Sequence, residues 1–360
     1  MGNGGRDLGR LPKAHLHLHF TGSMRLPTLK DMAAGHGLSL PHALLDRWPP
    51  RLSVSDERGW FRFQRLYDAA RACVRGEADM RRIVREAARD DAAEGSVWLE
   101  LQVDPTSYAP YVGGLTPALE IVLDEARAAS QEEGLGVAIV VAASRIRHPL
   151  DARTLARLAA RYAGDGPGTV VGFGLSNDER RGDTVDFAGA FRIAARAGLA
   201  LVPHGGELLG ADAVWTTLRT LAPDRLGHGV RSVEHPAVLA EVSRRRITLE
   251  VCPGSNVALG VYPRHRDVPL RALVRAGVPV ALGADDPLLF GSRLVDQYEL
   301  ARSALGFDDT ELAALAADSI RGSRADHCRQ DAALAGIDAW LQTPPSSPAV
   351  SPDPPSRPAA

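Results

Sequence analysis

The chain has 360 residues, of which 45% are apolar and 24% charged, and this composition is typical of a globular protein with a sizeable core. Its formal net charge of −2 gives no reason to expect nucleic acid or an acidic membrane as a partner. Cys73, Cys252 and Cys328 are odd in number and far apart, which argues against a disulfide scaffold and is typical of a cytoplasmic protein.

The two ends of the sequence differ in composition from the part between them. Residues 1–15 contain no apolar core of signal-peptide type, and no segment approaches the roughly 18 apolar residues that span a bilayer. The stretch 343–360 is rich in Pro and Ser and contains no aromatic residue, so we predict a disordered tail. The sequence thus predicts a flexible N-terminus over 1–10, a single domain over 11–342 and a tail over 343–360.

Eight runs with strand character occur along the chain, separated by segments with helical periodicity. In chain order they are 13–20, 97–105, 136–144, 170–176, 199–207, 225–230, 247–253 and 279–286. Strands that alternate with helices indicate a parallel sheet, and eight of them favour a closed (β/α)8 barrel, with a doubly wound open sheet as the alternative. The long interval 21–96 predicts extra helices over the mouth of the barrel.

Polar side chains stand at the C-terminal ends of several predicted strands, where a barrel of this type carries its active site. Barrel strands are normally rich in Val, Ile and Leu because their side chains fill the interior, so polar residues there need another explanation. These residues are His17 and His19 in the first run, His204 and Glu207 in the fifth, His228 in the sixth, and Asp285 and Asp286 in the eighth.

The alternating histidines of the first run indicate a metal site. Residues i and i+2 of a strand point the same way, so His17 and His19 can aim at one point inside the barrel mouth. Converging imidazoles suit a cation such as Zn²⁺, to which His204 would add a third nitrogen and Asp285 an oxygen. A His₃Asp set leaves room for water, which is typical of catalytic zinc sites. His15 lies further from the strand exit, and we interpret it as a hydrogen-bonded interior residue.

Each of these signals also has an ordinary structural explanation. An H-x-H pair is a weak pattern in a chain with eleven histidines. The pair Asp285 and Asp286 could instead cap a helix that begins in "PLLFGS". The metal site is favoured because several separate strand ends supply the required residue types in one consistent register.

Five motifs, "PKAHLHLHFTGS", "HGGE", "LGHGV", "EVCPGSN" and "LGADDPLLF", resemble in order and spacing those of the adenosine/adenine deaminases of the metal-dependent amidohydrolase superfamily. The resemblance covers about residues 10–340 and implies a (β/α)8 barrel that holds one zinc ion. By motif position, the zinc ligands would be His17, His19, His204 and Asp285. Glu207 matches the family's catalytic proton donor, His228 the histidine that orients and deprotonates the attacking water, and Asp286 the residue that bonds purine N7.

The chemistry that the resemblance implies agrees with these residue types. Hydrolytic deamination at C6 of adenine needs a nucleophile near neutral pH, and zinc can lower the pKa of a bound water to about 7. A carboxylic acid must protonate N1 of the ring, and Glu207 suits that task if a dry site raises its pKa. His228 has an intrinsic pKa that suits a proton shuttle. The zinc deaminases with a P-C-x-x-C signature are excluded because the sequence contains no C-x-x-C.

Two departures from the family pattern concern the substrate. Adenosine deaminases usually have an acid that bonds a sugar hydroxyl after the second histidine, and Thr21 in "HFTG" replaces it. In "GLSNDERRG", Asn177 stands where adenosine deaminases commonly have a Gly that contacts the purine. We expect the zinc chemistry to be unchanged, and these two positions leave open how a ribose would be recognised.

Adenosine is the default substrate, and two other adenine compounds stay open. One subgroup of the family deaminates aminodeoxyfutalosine, whose 5′ benzoate would suit a neutral Thr21 and an arginine, for which the candidates are Arg62, Arg65, Arg145 and Arg147. Free adenine is the other, because "CPGSNVALG" is closer to the adenine deaminase branch. Hydrolysis of an amide or ester at the same metal site and an inactive nucleoside-binding barrel are further hypotheses. We expect a small purine as partner, and neither nucleic acid nor a membrane.

Overall fold

Eight parallel strands form one sheet in chain order, with helices between them. The computed structural model describes residues 5–45 and 57–345. The strands are β1 (Lys13–His19), β2 (Ser96–Val103), β3 (Gly136–Ser144), β4 (Val170–Ser176), β5 (Ala200–Gly205), β6 (Arg225–His228), β7 (Thr248–Val251) and β8 (Val280–Leu282). All eight predicted strands occur, several of them shorter than predicted. The closed (β/α)8 barrel is confirmed, and the open sheet is not.

The barrel closes between its first and last strands. Leu18 of β1 pairs in parallel with Asp285, which lies just beyond β8. The backbone N–H of Asp285 donates to the carbonyl of His17, and the N–H of His19 donates to the carbonyl of Asp285, each at 3.0 Å. The closing hydrogen bonds therefore lie at the C-terminal end of the barrel and involve residues predicted to bind a metal.

Helices surround the sheet and cover one end of it. In chain order, the helices of the described residues are α1 (Leu26–Gly35), α2 (His42–Leu45), α3 (Glu57–Arg71), α4 (Glu77–Ala93), α5 (Ala109–Val112), α6 (Leu115–Glu133), α7 (Pro149–Arg161), α8 (Ala188–Arg196), α9 (Ala211–Thr220), α10 (Pro236–Arg244), α11 (Pro253–Ala258), α12 (Leu270–Arg275), α13 (Pro287–Phe290), α14 (Leu294–Ser303), α15 (Asp309–Gly322) and α16 (His327–Gln342). Each of them is too short or too polar to cross a lipid bilayer.

The interval between β1 and β2 contains both a regular barrel helix and additional ones. Helix α4 packs against β2 and α6, as the outer helix of a β/α unit does. The additional helices are α1, α2 and α3, and the side chains of α3 reach the cavity at the C-terminal end of the barrel. The prediction of extra helices over the barrel mouth is therefore confirmed for the described part of this interval.

Apolar packing holds the two halves of the barrel to their helices. One buried cluster joins β2, β3 and β4 to α4, α6, α7 and α8. The other joins β6, β7 and β8 to α9, α10, α12, α15 and α16. Every residue of β3 is buried, because a barrel strand faces helices on one side and the filled interior on the other.

The segment before β1 is packed against the C-terminal helix. The guanidinium group of Arg6 donates to the carbonyls of Leu341 at 2.6 Å and Thr343 at 2.7 Å, and pairs with Asp309 at 2.9 Å. Packing thus begins within the segment 1–10, for which the sequence predicts flexibility. The predicted tail over 343–360 lies outside the described residues from 346 onward, and the domain limits stay predictions.

Candidate metal centre and substrate cavity

The side chains predicted to bind a metal converge at the C-terminal end of the barrel. His17 and His19 come from β1, His204 from β5, and Asp285 follows β8. The Nε2 atoms of His19 and His204 are 3.2 Å apart. Asp285 Oδ1 lies 3.2 Å from His19 Nε2 and 3.5 Å from His17 Nε2. The structure thus brings all four side chains to one position.

Two of the residues predicted to bind the metal or to transfer a proton have a left-handed backbone. His228 has a φ of 63° and Asp285 a φ of 62°. Residues other than Gly rarely adopt this conformation, and where the surrounding structure enforces it the strain tends to lie at functional sites. Asp285 is held there by its two hydrogen bonds to β1. The barrel therefore fixes the direction of this carboxylate at some conformational cost.

The converging atoms fit a divalent cation such as zinc. Three imidazoles and one carboxylate are a ligand set typical of zinc. Burial opposes a proton on His17, but the carboxylates of Asp285 and Glu250 raise its pKa to about 10, so the position attracts positive charge. Burial, and next the charge of His17, lower the pKa of His204 well below its usual value. His204 thus has the neutral form that coordinates metals.

A charged network inside the barrel supports His17 from behind. His17 Nδ1 is 2.8 Å from Glu250 Oε2 on β7, and the other oxygen of Glu250 accepts a hydrogen bond from Arg225 Nε at 2.7 Å. Arg225 also pairs with Glu100 on β2. A carboxylate that accepts from the second nitrogen of a ligating histidine fixes its ring and raises its basicity. The sequence prediction missed these residues, although charges in mid-strand were a signal.

Ser255 contacts one candidate ligand, whereas His15 lies apart from the point where the ligands converge. The hydroxyl of Ser255 donates to Asp285 Oδ2 at 2.6 Å. His15 lies elsewhere, since its Nδ1 is 2.9 Å from Asp91 Oδ2 on α4 and its Nε2 accepts from the backbone N–H of Ala284 at 3.0 Å. His15 is buried and hydrogen-bonded on both ring nitrogens, as the sequence interpretation had it.

Glu207 and His228 face each other beside the metal position. Glu207 Oε1 is 3.6 Å from His228 Nδ1, and neither atom has a hydrogen-bond partner among the described residues. Burial raises the pKa of Glu207 well above its usual value, and the charges of Asp285 and Glu179 raise it further. Burial, and next the charge of His17, lower the pKa of His228 to about 3. The pair therefore consists of a carboxyl that favours its protonated form and an imidazole that favours its neutral form.

Asp286 points into the same cavity and does not cap the helix that follows it. It occupies the position before α13, but its side chain makes no capping hydrogen bond, and its buried Oδ1 has no partner among the described residues. A side chain on Gly22 would come within 1.8 Å of Asp286 Oδ1, so glycine is required there. Burial, and next the charge of Asp285, raise the pKa of Asp286. The capping alternative therefore does not explain this carboxyl.

A cavity opens from the metal position toward α3. Its wall combines many polar and ionisable side chains with aromatic and apolar ones. Besides the residues already described, its lining includes Phe20, Trp60, Phe63, Gln64, Tyr67, Asp104, Ser107 and Leu259.

Both residues that depart from the family pattern line this cavity. The hydroxyl of Thr21 is 2.6 Å from that of Tyr108, so the two form a hydrogen-bonded pair in the wall. Asn177 has a φ of 81°, in the region that favours Gly, and its Oδ1 accepts from the backbone N–H of Asp178 at 2.8 Å. The Gly of adenosine deaminases and the Asn of this chain thus suit the same backbone conformation.

The arginines named from the sequence do not line the cavity, whereas Arg71 does. Arg62, Arg65 and Arg147 are exposed. Arg145 is buried and donates to the carbonyl of His204 at 2.6 Å, so it supports β5 instead. The four arginines proposed from the sequence are therefore misplaced for a role in this wall. For Arg62 and Arg65 the reason is that the side of α3 that faces the cavity depends on how the helix lies across the barrel.

Arg71 is held at the cavity wall by its neighbours. Its guanidinium group donates to Ser107 Oγ at 3.0 Å and to Asp68 Oδ1 at 2.6 Å, and lies 4.9 Å from the ring centre of Tyr67. Its Nε is buried and has no partner among the described residues.

A (β/α)8 barrel that gathers three histidines and an aspartate at the C-terminal ends of its strands has the architecture of the metal-dependent amidohydrolase superfamily. Within that superfamily the chain belongs to the adenosine deaminase family, because the family model described as Adenosine deaminase matches residues 12–340.

Individual relatives and solved structures agree with this assignment. A Streptomyces virginiae protein with the provisional name adenosine/adenine deaminase is 62% identical over 336 residues, which are 93% of this chain and 98% of that protein. An adenine deaminase from Rhizobium leguminosarum bv. trifolii is 33% identical over 328 residues, covering 91% of this chain and 99% of its own.

The fold of this chain also matches solved structures. The crystal structure of an adenine deaminase from Arthrobacter aurescens has a TM-score of 0.83 at 27% identity and covers 92% of this chain and 99% of its own. An amidohydrolase from Burkholderia ambifaria, solved with bound Zn, has a TM-score of 0.81 at 24% identity and covers 93% and 92%. Together with the family membership, these relatives identify the chain as a hydrolase that deaminates an adenine-type compound.

Proposed function

We propose that the chain is a zinc-dependent enzyme that removes the C6 amino group of an adenine nucleoside by hydrolysis, with adenosine as the default substrate and one zinc ion per chain. The observation that carries the proposal is the position of Glu207. Its buried carboxyl lies 3.6 Å from His228 Nδ1, in the same cavity wall as His204 and Asp285. A proton donor, a proton acceptor and a cation site therefore face one small volume.

The side chains can divide the reaction between them. Zinc held by His17, His19, His204 and Asp285 would supply a water of lowered pKa at the end of the cavity. The neutral imidazole of His228 can accept a proton from that water, and the carboxyl of Glu207 can donate one to N1 of the purine. Asp286 lies in the same wall, and its Oδ1 has no partner among the described residues, so this carboxyl can bind N7.

The lining of the cavity supports a nucleoside over the free base. Besides Glu207 and Asp286, which would contact the purine, the lining includes Tyr108, Arg71 and side chains of α3. A sugar at N9 would occupy the space beside these further residues. Free adenine stays a candidate because relatives at 33% and 32% identity carry the name adenine deaminase.

The wall around Thr21 supports aminodeoxyfutalosine as a second candidate. Thr21 places a neutral hydroxyl, bonded to Tyr108, where an acid would repel a negative 5′ substituent. The cation of Arg71 lies in the same wall and could pair with a benzoate. Adenosine carries no charge at its 5′ position, so only the second candidate uses this arginine.

A substrate panel tests the proposal. Adenosine, adenosines with a 5′ carboxylate or phosphate, aminodeoxyfutalosine and adenine would be given to one sample of metal-loaded protein, and ammonia release followed. We expect turnover of at least one nucleoside and about one zinc per chain by elemental analysis. Metal-loaded protein that deaminates none of these compounds would contradict the proposal. If adenine alone were deaminated, the substrate would be the free base and not a nucleoside.

A further inference from the structure

One buried carboxylate binds the whole loop that carries Glu207. Glu179 lies in the connection after β4, and its Oε1 accepts from the backbone N–H of Gly206 at 2.6 Å. Its Oε2 accepts from the N–H groups of Glu207 at 3.1 Å, Leu208 at 2.9 Å and Leu209 at 2.9 Å. A carboxylate has about four acceptor sites. Four consecutive N–H groups of one segment therefore use the capacity of this side chain.

The other edge of the same loop is fixed by the segment after β6. The carbonyl of Gly205 accepts from the N–H of Gly229, and the carbonyl of Gly206 from the N–H of Arg231, each at 3.0 Å. The guanidinium group of Arg231 donates to the carbonyl of Leu208 at 2.7 Å. The segment after β6 thus donates to three carbonyls of the loop, and Glu179 accepts from four of its N–H groups. With both sets of hydrogen bonds in place, the loop has little conformational freedom.

Local conformation explains why the loop needs such a partner. Gly206 has a φ of 72°, and a side chain there would come within 2.3 Å of Val214. This turn directs successive N–H groups to one side, where they would be buried without a partner if no carboxylate lay there. Buried donors without a partner destabilise the folded state. The loop and the carboxylate therefore stabilise each other.

The charge of Glu179 is compensated within the same layer of the barrel. Glu179 is only 7% exposed, so an unpaired charge at this position would destabilise the folded state. Besides the four N–H groups, the cation of Arg145 attracts the carboxylate of Glu179 electrostatically. Arg145 also donates to the carbonyl of His204 at 2.6 Å. Glu179 and Arg145 together thus hold the segment from His204 to Leu209.

We propose that Glu179 is a positioning residue for the deamination, in that it fixes the backbone of Glu207 so that the carboxyl meets N1 of the bound purine. The inference rests on the proposed role of Glu207. A misplacement of a catalytic group by about 1 Å can lower a rate by about 100-fold. We expect binding of the substrate to depend mainly on the other residues that line the cavity.

The variant E179Q tests this role, because its amide keeps one acceptor oxygen and turns a donor toward N–H groups that need an acceptor. We expect kcat to fall by about 100-fold, with KM within about threefold and zinc content unchanged. The variant E179D keeps both oxygens on a shorter side chain, so it should show a smaller loss. The matched control is E125Q, because Glu125 is also buried and paired with arginines but lies on α6, outside the site. The kcat of E125Q should equal that of wild type.

Amide hydrogen exchange gives a second measurement that requires neither zinc nor turnover. In E179Q and E179D, exchange of the amides of 206–209 should become at least about tenfold faster, while the strands of the barrel keep their protection. Unchanged exchange at 206–209 in both variants would overturn the inference even if no substrate had been found. A wild-type kcat in E179Q, or a rise in KM alone, would overturn it as well. A wild type that is inactive on every adenine compound would contradict only the proposed function.

Discussion

The imidazole of His17 joins a buried carboxylate to the candidate metal position. Its Nδ1 is 2.8 Å from Glu250 Oε2, and its Nε2 is 3.5 Å from Asp285 Oδ1. One ring nitrogen is thus used for orientation, and the other is directed at the point where the histidines converge. Because Glu250 is itself fixed by Arg225 at 2.7 Å, the orientation of this ligand depends on the interior of the barrel.

The variant E250Q should bind zinc more weakly. Loss of a carboxylate behind a ligating histidine typically costs about 10- to 100-fold in metal affinity. Competition with a chromophoric chelator measures the zinc Kd, and circular dichroism checks that the variant is folded. The E125Q variant serves again as a control for the loss of a buried glutamate. A zinc Kd equal to that of wild type in folded E250Q would mean that Glu250 does not tune this ligand.

The variant E207Q should lose turnover and keep zinc. A glutamine has a similar shape but cannot protonate N1, and a positioned acid contributes about 10²- to 10⁴-fold. We therefore expect kcat to fall by that order, with the zinc content of wild type by elemental analysis. If the metal-loaded variant kept the kcat of wild type, the proton would come from another group. An enzyme that hydrolyses esters at the same metal would be expected to tolerate this change.

The variant R71M should change substrate selectivity rather than general activity. Charge-assisted hydrogen bonds contribute about 1.5–3 kcal/mol, so kcat/KM for adenosines with a 5′ carboxylate or phosphate should fall by about 10- to 100-fold. Adenosine, which carries no charge at its 5′ position, should be deaminated as by wild type. The control is R62M on the same helix, because Arg62 is exposed. An equal loss for all substrates would show that Arg71 has a structural role instead.

Lys13 should make stability depend on pH. Burial lowers its pKa from 10.5 to about 8, against the opposing charges of Glu94, Asp91 and Asp7. Between these two values the unfolded chain binds more protons than the folded chain, so this lysine makes folding more favourable as the pH rises from 8 to 10. Between pH 8 and pH 10, the unfolding free energy of wild type should therefore rise by about 2–3 kcal/mol relative to that of K13M.

Chemical denaturation at several pH values measures this difference, and subtraction of the K13M curve removes the titration of other groups. A difference that stays constant between pH 8 and 10 would show that Lys13 keeps an ordinary pKa in the folded state.

The strand pattern was sufficient to predict the barrel and the groups at its open end. His17 and His19 share a face because side chains alternate in a strand, and parallel strands in a barrel bring their C-terminal ends together. His15 follows the same spacing, but a register shift in β1 between His15 and Leu18 separates it from the other two. Such a bulge leaves no sign in the alternation of residue types.

The supporting groups depend on contacts that periodicity does not encode. Glu250 lies opposite Gly227 in the pairing of β6 with β7, and this register brings it to Arg225 and His17. Arg71 and Glu179 lie on long connections, whose paths over the barrel mouth are set by packing. A charged residue within a predicted buried strand indicates a partner without identifying it.

The candidate metal site can form only when the barrel closes. The backbone of Asp285 completes the ring by bonding to His17 and His19, so chain segments from opposite ends of the fold meet there. A nascent polypeptide that has not yet released residue 285 from the ribosome lacks both the final seam and one of the candidate ligands. An ion held by all four candidate ligands could therefore bind only after this ring has been completed.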